Sequence, residues 1–315
     1  MPLIQVNAAG ERPEPQGGAA RLGPLLDRAL EGLAPRAPVA VLIHGLRFSL
    51  SDPAQSPHRH ILALEPEDRC WKAVSWPRAL GFTGQGRAEG LCIAFGWEAG
   101  RNVWRAYDEA PLAGLALARL IEAILVRAPG RRVDLLAHSL GARVALSAMG
   151  ALAEAAVGHA VLMAPAEFAS AARPALCSAA GRQARVLNVT SGENDLYDWL
   201  LERFVARRRG GGPTLGRGLG RTEANWTDLR IDDADTLAVL ARLGHPVAPP
   251  ERRICHWSPY ARPGMLGLYA ALIRGELPYD LLRARLPEAQ AARWSRLLGL
   301  PRVELPLPFA GNAPS

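Results

Sequence analysis

The sequence predicts an α/β protein with a mostly parallel central sheet and helices on both faces. Short apolar runs at residues 39–45, 91–97 and 133–139 are typical of buried parallel strands. Between the last two runs, residues 108–130 place apolar side chains at helical spacing and end in Pro-Gly. Because parallel strands need right-handed crossovers, this alternation predicts a sheet that is covered on both sides.

The alternation of helix and strand continues downstream. Residues 140–154 predict a helix, and the apolar runs at 159–165 and 184–192 predict two more strands. The segments 47–90 and 207–230 are too long for simple connections in such a fold. We therefore predict loop insertions there, above the carboxyl ends of the strands, where ligands bind in open α/β sheets.

The chain of 315 residues is expected to form one main domain with short extensions. Hydrophobic residues make up 49% and charged residues 21%, a balance that argues against a disordered chain. We predict a main domain at 39–275, preceded by an N-terminal arm at 1–38 that contains one helix. A C-terminal helix and a Pro-rich tail at 276–315 are expected to pack on that domain.

The net charge of +7 allows an anionic partner, so the distribution of the charge has to decide. Basic residues are scattered, and the one dense cluster, at 203–212, runs into glycines. That pattern favours a solvated loop, and we expect no nucleic-acid partner. Contact of Arg207–Arg209 with nucleic acid or anionic lipid stays as an alternative.

Four cysteines without CxxC spacing or a paired histidine predict neither a metal nor another cofactor. No apolar run reaches membrane-spanning length, and the first residues lack the pattern of a signal peptide. The expectation is a cytoplasmic protein without a transmembrane segment. Its oligomeric state is not predicted.

The sequence AHSLG at 137–141 lies at the junction of a predicted strand and a predicted helix. A tight turn at such a junction lifts its central side chain above the sheet edge and needs small neighbours, because the backbone approaches itself closely. Ser139 is therefore predicted to be a nucleophile. The N-terminus of the following helix would face the negative charge that forms during the reaction.

This turn resembles the G-x-S-x-G elbow of the alpha/beta-hydrolase superfamily, with Ala137 in place of the first glycine. Residues 95–100, FGWEAG, followed by RAYDEA at 105–110, are similar to bacterial serine-esterase-like members. The resemblance covers roughly residues 39–272. It implies an alpha/beta-hydrolase fold and a Ser-His-Asp triad, and it leaves the substrate open.

The superfamily order of nucleophile, acid and histidine implies the other two members of the triad. Asp195 follows an apolar strand in a polar turn, and His256 lies in a late loop; these are the predicted acid and base. The neighbours of Asp195 that compete for this role are Glu193, Asn194 and Asp198, and Asp198 lies at the start of the next predicted helix. A further acidic cluster without a leading strand consists of Asp232, Asp233 and Asp235.

Other histidines fit the role of base less well. His138 precedes Ser139, so its side chain should point elsewhere, and His159 begins a strand. His245 lies in a Pro-rich loop without polar neighbours and is the main rival of His256.

An oxyanion hole needs two backbone donors. The residue after the nucleophile, Leu140, would supply the first. The strand that ends in His44-Gly45 would supply the second through the N–H group of Leu46, with His44 in a structural role.

The resemblance implies hydrolysis of a small-molecule ester-like substrate, a carboxylester or thioester, through an acyl-enzyme. Trp97 and Trp257, near predicted strand and loop ends, are candidates for the substrate pocket. The alternative is a catalytically silent fold of this type that acts as a binding or interaction module.

Overall fold

A computed structural model describes residues 3–18, 21–68, 70–205, 211–219 and 223–287. Its centre is one eight-stranded sheet. The strands are β1 (Leu3–Ala9), β2 (Arg12–Pro15), β3 (Val39–Ile43), β4 (Leu91–Gly96), β5 (Val133–His138), β6 (Val157–Met163), β7 (Arg185–Thr190) and β8 (Trp226–Arg230). They lie in the order β2-β1-β4-β3-β5-β6-β7-β8.

All neighbouring strands run parallel except β1 and β2, which pair antiparallel. This confirms the predicted α/β class with a mostly parallel sheet. In this part of the chain the α-helices are α1 (Leu22–Leu30), α2 (Trp76–Ala79), α3 (Val103–Arg127), α4 (Gly141–Ala151), α5 (Ala169–Cys177), α6 (Ala179–Gln183), α7 (Asp195–Leu200), α8 (Ala234–Arg242), α9 (Ser258–Ala261), α10 (Met265–Ile273) and α11 (Tyr279–Arg285).

Two apolar cores lie on opposite faces of the sheet. Because side chains alternate along a strand, Val41 and Ile43 of β3 join the core under α3 and α4, whereas Ala40 and Leu42 join the core under α10. Every residue of β3, β4 and β5 is buried. Burial on both faces explains why these strands are mostly apolar rather than alternating, with Asp134 and His138 as the polar residues of β5.

The N-terminal arm does more than pack on the domain. Its first residues form β1, which pairs with β4 and carries the chain into β2. Only Ile4 and Val6 of β1 are buried. This short alternating pattern, flanked by Pro and Gly, was not predicted as a strand, although the helix predicted in the arm is present as α1.

The segment predicted as an insertion at 207–230 also differs from expectation at its end. Trp226–Arg230 forms β8, which pairs with β7 at the far edge of the sheet. Polar Thr227 and Asp228 interrupt the apolar pattern there, so the residue pattern alone does not predict a strand. The Arg207–Arg209 cluster lies outside the described residues.

Past β8 the chain returns over the sheet. The helix α11 buries Leu282 in the core that contains Ala40 and Leu42. In the same helix, the hydroxyl of Tyr279 donates to the carbonyl of Val186 at 2.8 Å. The Pro-rich tail lies outside the described residues. No helix within the described ranges is long and apolar enough to cross a membrane.

Candidate active site

The turn between β5 and α4 holds Ser139 in an unusual backbone conformation. Its φ is 56°, in the left-handed region that residues with a side chain rarely adopt. The neighbouring chain stabilises this turn: the N–H of Ser139 donates to the carbonyl of Met163, and the N–H of Ala166 donates to the carbonyl of Ser139, both at 3.0 Å. The elbow is therefore held by the end of β6.

Close packing explains which small residues the elbow requires. A Cβ atom on Gly141 would lie 2.6 Å from the carbonyl oxygen of His44, and one on Gly45 would lie 2.7 Å from the Cβ of Ser139. Ala137, by contrast, is an ordinary buried residue of β5 paired with Ile43 and Leu162. The methyl group at position 137 is thus accommodated, whereas Gly45 and Gly141 leave no room for one.

The side chains of Ser139 and His256 meet at this elbow. The Nε2 atom of His256 lies 2.8 Å from the Oγ of Ser139, and its Nδ1 lies 2.6 Å from the Oδ1 of Asn194. An amide oxygen only accepts hydrogen bonds, so Nδ1 carries the proton and Nε2 is free to accept from the serine hydroxyl. The predicted nucleophile and the predicted base are therefore in hydrogen-bonding contact.

The electrostatic surroundings keep His256 neutral. Burial, reinforced by the nearby His138, holds the pKa of His256 well below its ordinary value of 6.5. A neutral imidazole is the form that accepts a proton. At neutral pH the imidazole of His256 is therefore in the form that the predicted base needs.

The residue at Nδ1 of His256 differs from the sequence expectation. We predicted Asp195 there, and the structure places Asn194 there instead. A short 3₁₀ turn, Gly192–Asn194, ends at this residue, and Asp195 already opens α7 with its side chain half-buried. The amide of Asn194, the last residue of the 3₁₀ turn, is the group that contacts the imidazole. The apolar strand pattern predicts where this turn lies, but it does not predict which side chain of the turn contacts His256.

The rival acids have other partners. Asp232 forms an ion pair with Arg230 at 3.1 Å, and Asp233 caps α8 by accepting from the N–H of Thr236 at 2.8 Å. Among the rival histidines, Nδ1 of His159 lies 2.9 Å from Asp134. The N–H of His245 donates to Leu240 at the end of α8.

Two contacts join the loop that carries His256 to the turn that carries Asn194. The N–H of Cys255 donates to the carbonyl of Glu193 at 2.9 Å. The guanidinium of Arg262 forms a buried ion pair with Glu193 and also donates to the carbonyl of Ile231. Glu193 precedes Asn194 and Cys255 precedes His256 in the sequence. The contacts therefore fix the turn that carries Asn194 relative to the loop that carries His256.

His138 contacts the base through the main chain. Its Nε2 lies 2.9 Å from the carbonyl oxygen of His256, to which it donates, and its ring packs edge-on against Tyr260. Burial lowers the pKa of His138 to about 4, so the ring is neutral. His138 therefore holds the main chain of His256 in place, and its side chain does not contact Ser139 as a base would.

The predicted oxyanion donors lie on the two loops that meet at Ser139. Within the described residues, neither the N–H of Leu46 nor that of Leu140 donates to another protein group. The next residue, Arg47, has a φ of 79° and donates to the carbonyl of Gly100 at 2.8 Å. The two loops approach closely at Ser139, since a Cβ atom on Gly45 would lie 2.7 Å from the Cβ of Ser139.

His44 and Trp97 stabilise the loop that carries Leu46. The N–H of Trp97 donates to Nε2 of His44 at 3.0 Å, its indole donates to the carbonyl of His44 at 2.9 Å, and the two rings stack. Burial lowers the pKa of His44 to about 3, and its Nδ1 donates to the carbonyl of Gly45. Trp97 is only 1% exposed, so it lies beneath this loop rather than at the mouth of the site.

Aromatic side chains flank the exposed side of His256. Trp257 is half-buried, with the Nζ of Lys72 3.5 Å above its ring and the exposed Trp71 edge-on to it. Tyr197 stacks on His256 with ring centroids 4.6 Å apart. Tyr197 was not predicted as a site residue, although it lies in the same polar segment as the predicted acid.

One group of potential metal ligands occurs within the described residues. His60, Asp68 and Cys70 place their ligand atoms within 4.8 Å of one another in the segment predicted as an insertion. The Nε2 of His60 lies 3.5 Å from the carboxylate of Asp68, which forms a partly exposed ion pair when the histidine is protonated. The group makes no contact with Ser139 or Asn194.

No protein-family model matches this chain, and no curated protein sequence matches it. What the site can do therefore follows from its own geometry, in which a serine hydroxyl bonded to a neutral imidazole lies at one edge of a mostly parallel sheet.

Proposed function

We propose that the protein is a serine hydrolase of the alpha/beta-hydrolase type that cleaves a small carboxylester or thioester. The observation that carries the proposal is the hydrogen bond of 2.8 Å between Ser139 Oγ and His256 Nε2, at a serine whose φ is 56°. A strained serine on a strand-to-helix turn, bonded to a neutral imidazole of fixed tautomer, is the arrangement that activates a hydroxyl nucleophile.

The reaction begins with attack of Ser139 Oγ on the carbonyl carbon, while His256 Nε2 takes the hydroxyl proton. The N–H groups of Leu46 and Leu140 stabilise the oxyanion. The tetrahedral intermediate collapses as His256 returns the proton to the leaving alcohol or thiol. Water then attacks the acyl-enzyme, with His256 as base and then as acid, and releases the carboxylic acid and free Ser139.

The third member of the constellation is an amide. Asn194 orients His256 as a carboxylate would, but it brings no full negative charge to the imidazolium that forms in the transition state. An Asn in this position also occurs in Cys-His-Asn proteases, so orientation alone supports this type of catalysis. The carboxylate of Asp195, next in the chain, stays the predicted acid to be compared with Asn194 by substitution.

The substrate side of the proposal rests on the residues around His256. Trp257 and Tyr197 contact its ring and offer an aromatic wall to an apolar acyl or alcohol group. Trp97, buried under the loop of Leu46, supports the oxyanion donors from behind.

Intact-mass labelling with a fluorophosphonate tests the proposal. We expect one adduct on the wild-type protein, none on Ser139→Ala, and labelling slowed by about a hundredfold or more in His256→Ala. Asn194→Ala is expected to slow labelling by about tenfold or more, and Asp195→Asn by less. A folded wild-type protein that forms no adduct would rule out the proposal and favour the catalytically silent binding module.

A further inference from the structure

A carboxyl group lies directly behind the amide that contacts His256. The Oδ2 of Asp198 accepts a hydrogen bond of 2.9 Å from the Nδ2 of Asn194. Both side chains are buried, at 4% and 3% exposure. A chain of hydrogen bonds thus runs from Ser139 through His256 and Asn194 to Asp198.

We propose that Asp198 is a positioning residue that fixes the orientation of the Asn194 amide and thereby the tautomer of His256. This inference rests on the proposed hydrolase activity of the same site. It assigns a role to a buried acid that the reaction steps do not use, three positions after the acid that the sequence predicts.

The physical reason is the near-symmetry of an amide. Rotated by half a turn, Asn194 would present its NH₂ group to Nδ1 of His256. The imidazole would then have to accept there and carry its proton on Nε2, where it could no longer take the proton of Ser139. Since a carboxyl oxygen at Asp198 accepts from Nδ2, it selects the orientation in which Oδ1 faces His256.

The surroundings of Asp198 are shaped to hold it. A Cβ atom on Gly216 would overlap the carboxyl group, so the glycine makes room for it. Burial is the main cause that raises the pKa of Asp198 to about 8, and the negative charges of Asp195 and Glu202 act in the same direction. Glu202 is itself paired with Arg217 at 2.8 Å, and the hydroxyl of Thr214 also bonds Asp198. Whether ionised or protonated, the carboxyl group retains an oxygen that can accept from Nδ2.

Fluorophosphonate labelling of the full-length chain tests this role. We expect Asp198→Ala to slow labelling of Ser139 by about tenfold or more, because both orientations of Asn194 become available. Asp198→Asn can still offer its oxygen to Nδ2, so it should lose about threefold at most. Glu202→Gln, which keeps an acceptor for the N–H of Thr214 and does not bond Asn194, is the matched control and should label at the wild-type rate.

An exchange of the two side chains gives a sharper result. In the double variant Asn194→Asp with Asp198→Asn, the NH₂ group at 198 donates to the carboxylate at 194, whose other oxygen accepts from Nδ1. The variant should label at least as fast as the wild-type protein, because the orientation is preserved and a full charge now contacts the imidazole.

The ¹⁵N NMR shifts of the His256 ring supply a readout that does not depend on activity. The wild-type protein should show the proton on Nδ1, and Asp198→Ala should show a mixture of tautomers. Wild-type labelling and tautomer in Asp198→Ala would overturn the positioning role, as would an exchange variant slower than Asp198→Asn. If Asp198→Ala does not fold, the exchange variant and Asp198→Asn decide. An unlabelled wild-type protein with the proton on Nδ1 would instead contradict the proposed function alone.

Discussion

At the scale of single residues, the chemistry depends on the protonation state of a few buried groups. His44, His138 and His256 all lie near the elbow, and burial lowers the pKa of each of them. Their neutral rings make directional hydrogen bonds to the main chain or to Ser139. The site therefore uses imidazoles as oriented dipoles and a base, without placing several positive charges together.

The lowered pKa of His256 predicts the pH dependence of labelling. Protonation removes the acceptor for the serine proton, and this protonation occurs only below the ordinary value of 6.5. The fluorophosphonate labelling rate should therefore stay nearly constant between about pH 8 and pH 6 and fall under more acidic conditions. A midpoint at or above the ordinary histidine value would contradict the buried, neutral base. The rate is measured at each pH on protein shown by circular dichroism to be folded.

Some of the site residues could be predicted from the sequence and others could not. Ser139 and His256 stand out because an elbow and a late polar loop are local patterns, and the structure brings the two side chains together. The role of Asn194 could not be read in this way, because a carboxylate is the expected partner and one lies next to it. Which of two adjacent side chains faces the imidazole depends on a 3₁₀ turn whose geometry is set by contacts with Cys255 and Arg262, distant in sequence.

At the scale of elements, the site depends on how closely three segments approach. The ends of β3 and β5 and the start of α4 meet at Gly45 and Gly141, where backbone atoms occupy the space of a side chain. Such approach lets the loop after β3 place its N–H groups beside the nucleophile.

Gly45→Ala tests this approach. The added methyl group would lie 2.7 Å from the Cβ of Ser139 and 2.9 Å from the carbonyl of His138, so one of the two loops must move. We expect labelling to slow by about tenfold to a hundredfold, since small displacements of a catalytic group are costly. Gly86→Ala, at a glycine with open space around it, is the control. Equal labelling rates in the two variants would show that the loop after β3 takes no part in the reaction.

The predictability of the elements follows from their burial. The strands β3, β4 and β5 are buried along their whole length, and their apolar runs predict them directly. By contrast, β1 and β8 lie towards the edges of the sheet and carry polar residues, so propensity alone does not separate them from loops. Their pairing is decided by neighbours that are far away in the sequence.

At the scale of the whole molecule, stability and chemistry lie in different parts of the sheet. The N-terminal strand β1 extends the sheet on one side of β4, whereas the site lies at the ends of β3, β5 and β7. The buried residues of β1, Ile4 and Val6, belong to the same core as α3. The strand β1 thus contributes buried side chains to the core from the side of β4 that faces away from β3.

We expect Ile4→Ala to lower the stability of the fold without changing the labelling of Ser139. Loss of a buried side chain should lower the free energy of unfolding by about 2–5 kcal/mol, through lost apolar burial and the cavity left behind. Denaturant titration measures this change, with Gln5→Ala on the same strand as the control for partly buried positions. The rate of Ser139 labelling in the folded protein should not change. A slower rate at full folding would show that β1 influences the geometry of the site.

The hydrogen bond from His138 to the main chain of His256 has a mechanical consequence. Since His138 and Ser139 are consecutive, one dipeptide holds the proton acceptor by its backbone and offers the proton from its side chain. When the elbow moves, Ser139 and His256 move in the same direction. Small motions of the sheet therefore change the distance between Ser139 Oγ and His256 Nε2 very little. Transferring this nucleophile to another protein scaffold would therefore require the pair His138-Ser139 together with the loop that carries His256.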